Sequence, residues 1–178
     1  MEPLIVVEGD SDAALLARLT RHLRLKSKVV VGHGASSAVS MARSHLALGA
    51  PRVILVLDAD SENEEAIKER CRSIETALAF AASEHRWRLV MLVPDLERSL
   101  LSVDEVAGFL LGNTVDKRAL EKLKESGADA KNVLALERAV NQRRLRVKLP
   151  ASAAEAFLTR NPKLLEALRF AESVATAA

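Results

Sequence analysis

The stretch PRVILVLDAD, residues 51–60, decides the fold of this chain. Its middle is a short apolar run rich in β-branched residues, bounded by Pro51 on one side and by acids on the other, which is typical of a strand. Because the run contains no polar residue, both faces of the strand are predicted to be buried, as in a parallel sheet covered by helices on each side. Asp58 and Asp60 then stand at the carboxyl end of a buried strand.

Three further runs have the same character, and a segment with helical periodicity follows each of the four. These runs are PLIVVEG at 3–9, SKVVVGHG at 27–34 and WRLVMLVPD at 87–95. We therefore expect four β/α units. The first helix is predicted to be capped by Ser11 or Asp12, the second to end at Gly49, and the third to cover residues 62–85.

The 178 residues suffice for one full domain with a smaller appendage. From Asp104 onward no convincing strand pattern remains, and the periodicity predicts helices only. The sequence thus predicts a Rossmann-like α/β domain over 1–103, with a mostly parallel four-stranded sheet, and a helical C-terminal extension over 104–178. The predicted helices of the extension are interrupted at Gly112, Gly127, Pro150 and Pro162.

Composition indicates an ordinary globular protein, because 49% of the residues are apolar and 28% are charged. Cys71 is the single cysteine, so no internal disulfide can form and a reducing compartment is the natural interpretation. The run LIVV is too short for a signal sequence, and no apolar run approaches the roughly 18 residues of a membrane span. We therefore expect a cytoplasmic protein without a membrane partner.

The net charge of +2 conceals an uneven distribution. Acidic clusters lie in the first hundred residues, whereas NQRRLRVK at 141–148 is strongly basic. A local basic patch of this kind is compatible with a polyanion such as nucleic acid, although most such runs are solvated helix faces.

Acids follow three of the four predicted strands. Since the carboxyl ends of parallel strands meet at one edge of the sheet, these acids are predicted to lie close together. Asp58 and Asp60 would face the same side if the extended conformation continued beyond the strand. The acids are Glu8, Asp10 and Asp12 after the first strand, Asp58 and Asp60 after the third, and Asp95 and Glu97 after the fourth.

Crowded carboxylates repel one another, and a divalent cation removes that cost. Oxygen ligands favour a hard ion, Mg²⁺ or Mn²⁺, whereas the scattered histidines and the single cysteine offer no zinc pattern. Each acid alone has an ordinary explanation, such as a polar loop residue for Glu8 or a helix cap for Asp12. Their conjunction at three strand ends favours a shared metal site.

In these motifs the chain resembles the TOPRIM domain of topoisomerases, primases and OLD-type nucleases. The resemblance covers about residues 3–102 and lies in Glu8 of VVEGDSD and in Asp58 and Asp60 of LVLDAD. EGDSD, which adds Asp12, and PDLE at 94–97 make the chain most similar to the OLD nucleases. The resemblance implies a metal-dependent nuclease that cuts DNA with two ions and is assisted by a basic residue.

Roles follow from that resemblance and remain expectations. The predicted ligands of the first ion are Glu8, Asp12 and Asp58, and those of the second, directly or through water, are Asp60, Asp95 and Glu97. The predicted catalytic residues are Glu8, Asp58, Asp60 and Lys148, with Glu8 alternatively a general base. Phosphate neutralisation is assigned to Arg98, Arg143, Arg144, Arg146 and Lys148, and an indirect contribution to Asp10 and Ser11.

The chain also departs from the relatives that it resembles. It contains no G-x4-G-K-S/T loop, so any ATPase, which OLD proteins usually carry in the same chain, would be a separate partner. It contains no tyrosine, which excludes the nucleophile of a topoisomerase. Aromatic residues make up only 3%, so binding to nucleic acid is expected to involve the backbone and to depend on salt.

Two alternatives to a nuclease stay open at this stage. One is a non-catalytic TOPRIM module that docks on a partner ATPase through its apolar helix faces. The other is a chain similar to a signalling receiver, in which an Asp that ends the third strand accepts phosphate. The fourth strand, however, ends in VPDLE where a receiver needs a hydroxyl residue, and no fifth strand is evident.

Overall fold

The computed structural model describes residues 2–103 and 150–172, apart from the side chains of Glu97 and Leu101. Its strands are β1 (Leu4–Val7), β2 (Lys28–Val31), β3 (Val53–Asp58) and β4 (Trp87–Leu92). Its α-helices are α1 (Asp10–His22), α2 (Ala35–Ala47), α3 (Glu64–Ala79), α4 (Leu96–Leu101), α5 (Ala151–Arg160) and α6 (Pro162–Glu172), and a 3₁₀ helix covers Glu84–Arg86.

The four strands form one sheet in the order β2-β1-β3-β4, and all pairs are parallel. Val7 lies beside Val31 on one neighbour and Val56 on the other, while Asp58 lies beside Leu92. The predicted Rossmann-like α/β sheet flanked by helices is thus confirmed. The uninterrupted apolar runs explain it, since every residue of β1 and β3 before Asp58 is buried.

Alternation along the strands divides the apolar core into two clusters, one on each face of the sheet. On one face Ile5 and Ile54 pack with residues of α1, α4, α5 and α6. On the other face Val6 and Leu55 pack with residues of α2 and α3. Each fully buried aliphatic side chain contributes roughly 1.5–3 kcal/mol to the free energy of unfolding.

The C-terminal helices α5 and α6 cover the same sheet face as α1. Phe157 of α5 and Leu164 and Leu168 of α6 are fully buried in the cluster that contains Ile5. Helix α6 begins at Pro162, as expected, whereas the sequence pattern did not predict α5. The other predicted helices of the extension lie outside the described residues, and the boundary at residue 103 stays a prediction.

Two helix starts differ from the sequence predictions. The N-cap of α1 is Gly9, not Ser11 or Asp12, because the Asp12 carboxylate reaches back to accept the Gly9 N–H at 2.8 Å. Helix α3 starts at Glu64, since Asn63 caps it through its side-chain oxygen, and it ends at Ala79, short of the predicted residue 85. None of the helices in residues 2–103 and 150–172 combines the length and apolar character of a membrane span.

Candidate functional site

The carboxyl edge of the sheet brings together the loops that follow all four strands. Glu8 comes directly after β1, and Asp58 is the last residue of the neighbouring β3. Backbone hydrogen bonds tie adjacent loops to each other: the Gly34 N–H donates to the Glu8 carbonyl at 3.0 Å, and the Asp60 N–H donates to the Pro94 carbonyl at 2.7 Å. Neighbouring loops at this edge are therefore held together by backbone hydrogen bonds.

Glu8 has an unsatisfied polar atom. Its side chain is half-buried, and its Oε2 atom is buried without a hydrogen-bond partner among the described residues. Burial of a carboxylate oxygen without a donor or a cation costs free energy, so native proteins rarely retain one without a reason. Glu8 is consequently the residue of this edge that most needs a further partner.

Asp58, Asp12 and Asp95 each accept a backbone N–H near the start of a helix. Asp58 Oδ1 accepts from the N–H of Leu96, the first residue of α4, at 2.9 Å. Asp95 is the N-cap of the same helix, and its Oδ1 accepts from the Arg98 N–H at 2.8 Å. Asp12, inside the first turn of α1, accepts the N–H of the cap residue Gly9. These bonds hold the loops after β1, β3 and β4 in place. Each of the three carboxylates therefore has a structural role.

Asp60 lies differently from the sequence prediction. The strand ends at Asp58, and Asp60 is exposed and has a φ of 52°, in the left-handed region. The extended conformation that would have aligned it with Asp58 is absent, so the argument from alternation is wrong for this pair. A left-handed residue with a Cβ costs about 1–2 kcal/mol, which the Asp60–Pro94 backbone bond helps to offset.

Among the described residues, no group of three or more His, Cys, Asp or Glu side chains is arranged to hold a metal ion. Strand alternation gives a physical reason. The register continued from Val7 and Val56 sets Glu8 beside Leu57, which packs on the α2 and α3 face. Asp58 instead lies on the same side of the sheet as Val56, where α4 packs. The structure thus brings the acids to one edge but not into one ligand set.

Within residues 2–103 and 150–172, two arginines lie at this edge. Arg98, which the sequence had indicated, pairs with Glu62 at 2.6 Å between Nη1 and Oε1, and its Nε is buried without a hydrogen-bond partner among the described residues. Arg70, which sequence reasoning missed, donates from Nη1 to the carbonyls of Asp58 and Ala59 at 3.0 and 2.9 Å. Both place positive charge beside the loop that follows β3.

His33 is a further residue that sequence reasoning missed. It is exposed in the loop after β2, with a φ of 57°, between Gly32 and Gly34. Retention of a histidine where the backbone favours glycine is a reason to consider a function for it. The signal was present as Gly-His-Gly directly after a strand.

Several predicted site residues cannot be placed. Lys148 and the arginines at 143, 144 and 146 lie outside the described residues. Glu97 lies in the first turn of α4, but its side chain is also outside the described part.

Comparison of the chain with protein-family models, with curated proteins and with solved structures finds no match. The interpretation of the edge therefore depends on its own residues. Of these, Glu8 with its unsatisfied oxygen and Asp58 on the adjacent strand are the central pair.

Proposed function

We propose that the chain is a divalent-metal-dependent nuclease of the TOPRIM type, similar to the OLD nucleases, that hydrolyses phosphodiester bonds in DNA. The observation that carries the proposal is the buried Glu8 Oε2 without a hydrogen-bond partner among the described residues, next to the strand that ends in Asp58. A hard cation is the partner that satisfies such an oxygen at least cost.

The carboxylates at this edge suit Mg²⁺ or Mn²⁺ better than an ion whose ligands must all come from the protein. Mg²⁺ usually keeps several waters and takes only one or two carboxylates together with substrate phosphate oxygens. Glu8 would provide one such carboxylate, whereas Asp58, which lies toward α4, would belong with Asp60 and Glu97 to a second ion. A bound ion of this kind lowers the pKa of water and stabilises charge on the phosphate.

Asp12 and Asp95 act in this proposal mainly as positioning residues. Asp12 fixes the turn after Glu8 through the Gly9 N–H, and Asp95 caps the helix whose first N–H holds Asp58. Arg98 and Lys148 would neutralise phosphate charge. An ATPase, if the reaction requires one, would be a separate cytoplasmic partner, because the chain has no phosphate-binding loop of its own.

The experiment combines metal binding with cleavage. Mn²⁺ binding is measured by electron paramagnetic resonance titration, and nuclease activity by relaxation of supercoiled plasmid and degradation of linear DNA. The parent is compared with Glu8→Gln, Asp58→Asn and the control Glu155→Gln, which changes an exposed acid on α5. We expect the first two variants to lose cleavage by at least about 100-fold and the control to keep it. Equal activity in all four proteins would refute the proposal.

A second function, a non-catalytic docking module, is favoured by one observation. The carboxylates of Asp12, Asp58 and Asp95 already accept backbone N–H groups, as structural caps do. If this function is correct, the parent will bind no Mn²⁺ and cut no DNA, while Asp58→Asn will lower the thermal midpoint by several degrees. Stoichiometric Mn²⁺ binding that disappears in Glu8→Gln would decide for the nuclease.

A further inference from the structure

A long segment of the chain carries no acidic residue. Between Asp12 and Asp58 the sequence has neither Asp nor Glu, although this segment includes the rest of α1, β2, α2 and nearly all of β3. Its lysines and arginines are Arg18, Arg21, Arg24, Lys26, Lys28, Arg43 and Arg52.

Part of this segment forms a groove, which we call the basic groove, between the C-terminal end of α1 and the start of β2. It has a volume of about 470 Å³, and its polar lining consists of Thr20, Arg21, Arg24 and Ser27. The Ser27 hydroxyl oxygen is buried without a hydrogen-bond partner among the described residues. The groove therefore offers two guanidinium groups beside hydroxyl groups.

Its positive charges are not neutralised by acids within the described residues. The ion pairs among the described residues join Lys68 to Glu64 and Arg98 to Glu62. These residues lie far along the chain from those of the groove. The pKa of the Arg18 guanidinium is lowered by burial and by the nearby charge of Arg21. Arg18 and Arg21 thus repel each other, and an anion bound beside Arg21 would relieve that repulsion.

Arg24 also occupies a backbone position that favours glycine. It follows α1 with a φ of 57°, and the Leu25 N–H donates to the Thr20 carbonyl at 2.8 Å, the pattern of a helix end that usually has Gly or Asn here. An arginine at this position costs stability compared with glycine. A charged side chain at such a backbone position is a reason to consider a role outside folding.

We propose that the basic groove binds the phosphate backbone of nucleic acid. Arginine forks match phosphate oxygens in geometry and charge. The apolar residues that line the groove, Ala17, Leu25 and Val29, are partly buried, so the groove lacks the exposed apolar anchors expected of a surface for membranes.

The basic groove is separate from the acidic edge. Helix α1 starts at that edge and runs 13 residues to the groove, a length of about 20 Å. Binding in the groove accordingly requires neither a metal ion nor hydrolysis. A backbone that reached both places would be held by the groove while another phosphate lay near Glu8.

The test is equilibrium binding of a fluorescent duplex of about 20 base pairs, followed by anisotropy over a range of salt concentrations with EDTA present. The variant Arg21→Gln/Arg24→Asn removes both guanidinium groups, and Asn suits the left-handed backbone at residue 24. The matched control Arg72→Gln/Arg160→Gln removes the same charge from exposed positions on α3 and α5. Unfolding curves verify that all three proteins are folded.

We expect the parent to bind and the groove variant to bind about tenfold more weakly, with the slope of log K against log salt reduced by about 1 for each phosphate that the variant no longer neutralises. The control should keep the parental slope. Absence of binding by the parent, equal weakening in the control, or tighter binding of polyglutamate or of phosphatidylserine vesicles than of DNA would overturn the proposal. Because EDTA is present, a failure of the proposed nuclease does not affect this result.

Discussion

At Glu8, stability and function are expected to oppose each other. The unsatisfied Oε2 lowers the free energy of unfolding as long as no cation is bound. Glu8→Gln keeps the shape and removes the charge, so we expect it to raise the free energy of unfolding in EDTA by about 1 kcal/mol, measured by urea denaturation.

The same substitution should abolish the stabilisation that Mn²⁺ gives to the parent, because ligand binding to the folded state raises its stability by mass action. Glu155→Gln, on the exposed side of α5, should change neither quantity. A decrease in the stability of Glu8→Gln in EDTA would mean that the parental carboxylate has a stabilising partner in the folded protein.

Gly32 positions the loop after β2 and is predicted to tolerate no side chain. A Cβ at this residue would lie 2.4 Å from the Cα of Ala38, in the backbone of α2. Since that backbone belongs to a helix packed on the sheet, it cannot yield easily, and we expect Gly32→Ala to cost about 1–3 kcal/mol in a thermal unfolding experiment.

Gly9, at the same edge, provides the comparison. A Cβ there would meet only Asp12 Oδ2, at 3.5 Å, which is an ordinary contact. Gly9→Ala should therefore change the free energy of unfolding by less than Gly32→Ala does, in spite of its position beside Glu8. Similar costs at the two glycines would show that close approach to α2 is not what restricts residue 32.

At the scale of the element, helix α6 contacts the sheet through an aromatic ring that interacts with two arginines. The guanidinium carbons of Arg52 and Arg88 lie 4.3 and 4.0 Å from the centroid of the Phe170 ring, and Arg52 Nη1 donates to the Phe170 carbonyl. The pKa of Arg52 is lowered by burial and by the charge of Arg88. The ring thus stabilises two cations that repel each other.

We expect Phe170→Leu to lower the free energy of unfolding by about 1–2 kcal/mol, because it removes both cation–π interactions while it keeps an apolar side chain. Phe80→Leu is the control, since that ring is 84% exposed just after α3. The measurement is urea denaturation of both variants. A cost at Phe170 no larger than at Phe80 would show that the two arginines add nothing to the packing of α6.

The elements also show how far the sequence could predict the structure. Strands β1 and β3 were predictable because unbroken apolar runs have few alternatives to a buried strand. Helix α5 was missed because much of its sequence is alanine and it follows Pro150, yet Ala153 and Ala154 are buried and let it pack closely on its neighbours. A helix rich in small residues has weak hydrophobic periodicity, so its buried face becomes evident only from its packing in the structure.

The candidate site was only partly predictable for a different reason. Parallel strands necessarily bring Glu8 and Asp58 to one edge, and spacing along the chain shows this. The left-handed φ of Asp60 and the bond from Leu96 N to Asp58 depend on how neighbouring loops pack, which no local pattern encodes. The cap formed by Asp95 could have been predicted, because Asp directly before a helix is a common N-cap.

At the scale of the whole molecule, acids and cations occupy opposite ends of α1. The acidic loops lie at the carboxyl edge, and the basic groove lies at the other end of the helix. A polyanion is attracted by the groove and repelled by the carboxylates at the edge, and a cation bound among those carboxylates would reduce the repulsion. Metal binding at the edge and phosphate binding in the groove would therefore favour each other.

The shared core leads to a prediction about the chain as a whole. Residues of α5 and α6 are buried against the same sheet face as α1, so a fragment that ends at residue 103 would expose the Ile54 and Val90 side of the sheet. Removal of Phe157, Leu164 and Leu168 together takes away several buried side chains worth roughly 1.5–3 kcal/mol each. That sum is comparable to the total stability of about 5–15 kcal/mol of an average domain.

We therefore expect the fragment 1–103 to lack a cooperative unfolding transition and to bind a hydrophobic dye, whereas the full chain unfolds in one step. Circular dichroism during thermal unfolding and dye fluorescence measure the two properties. The triple variant Phe157→Ala/Leu164→Ala/Leu168→Ala, made in the 178-residue chain, separates the effect of packing from the effect of chain length, and it should resemble the fragment. A fragment that unfolds cooperatively near the parental midpoint would show instead that the sheet and α1 to α4 form an independent domain and that α5 and α6 are only attached to it.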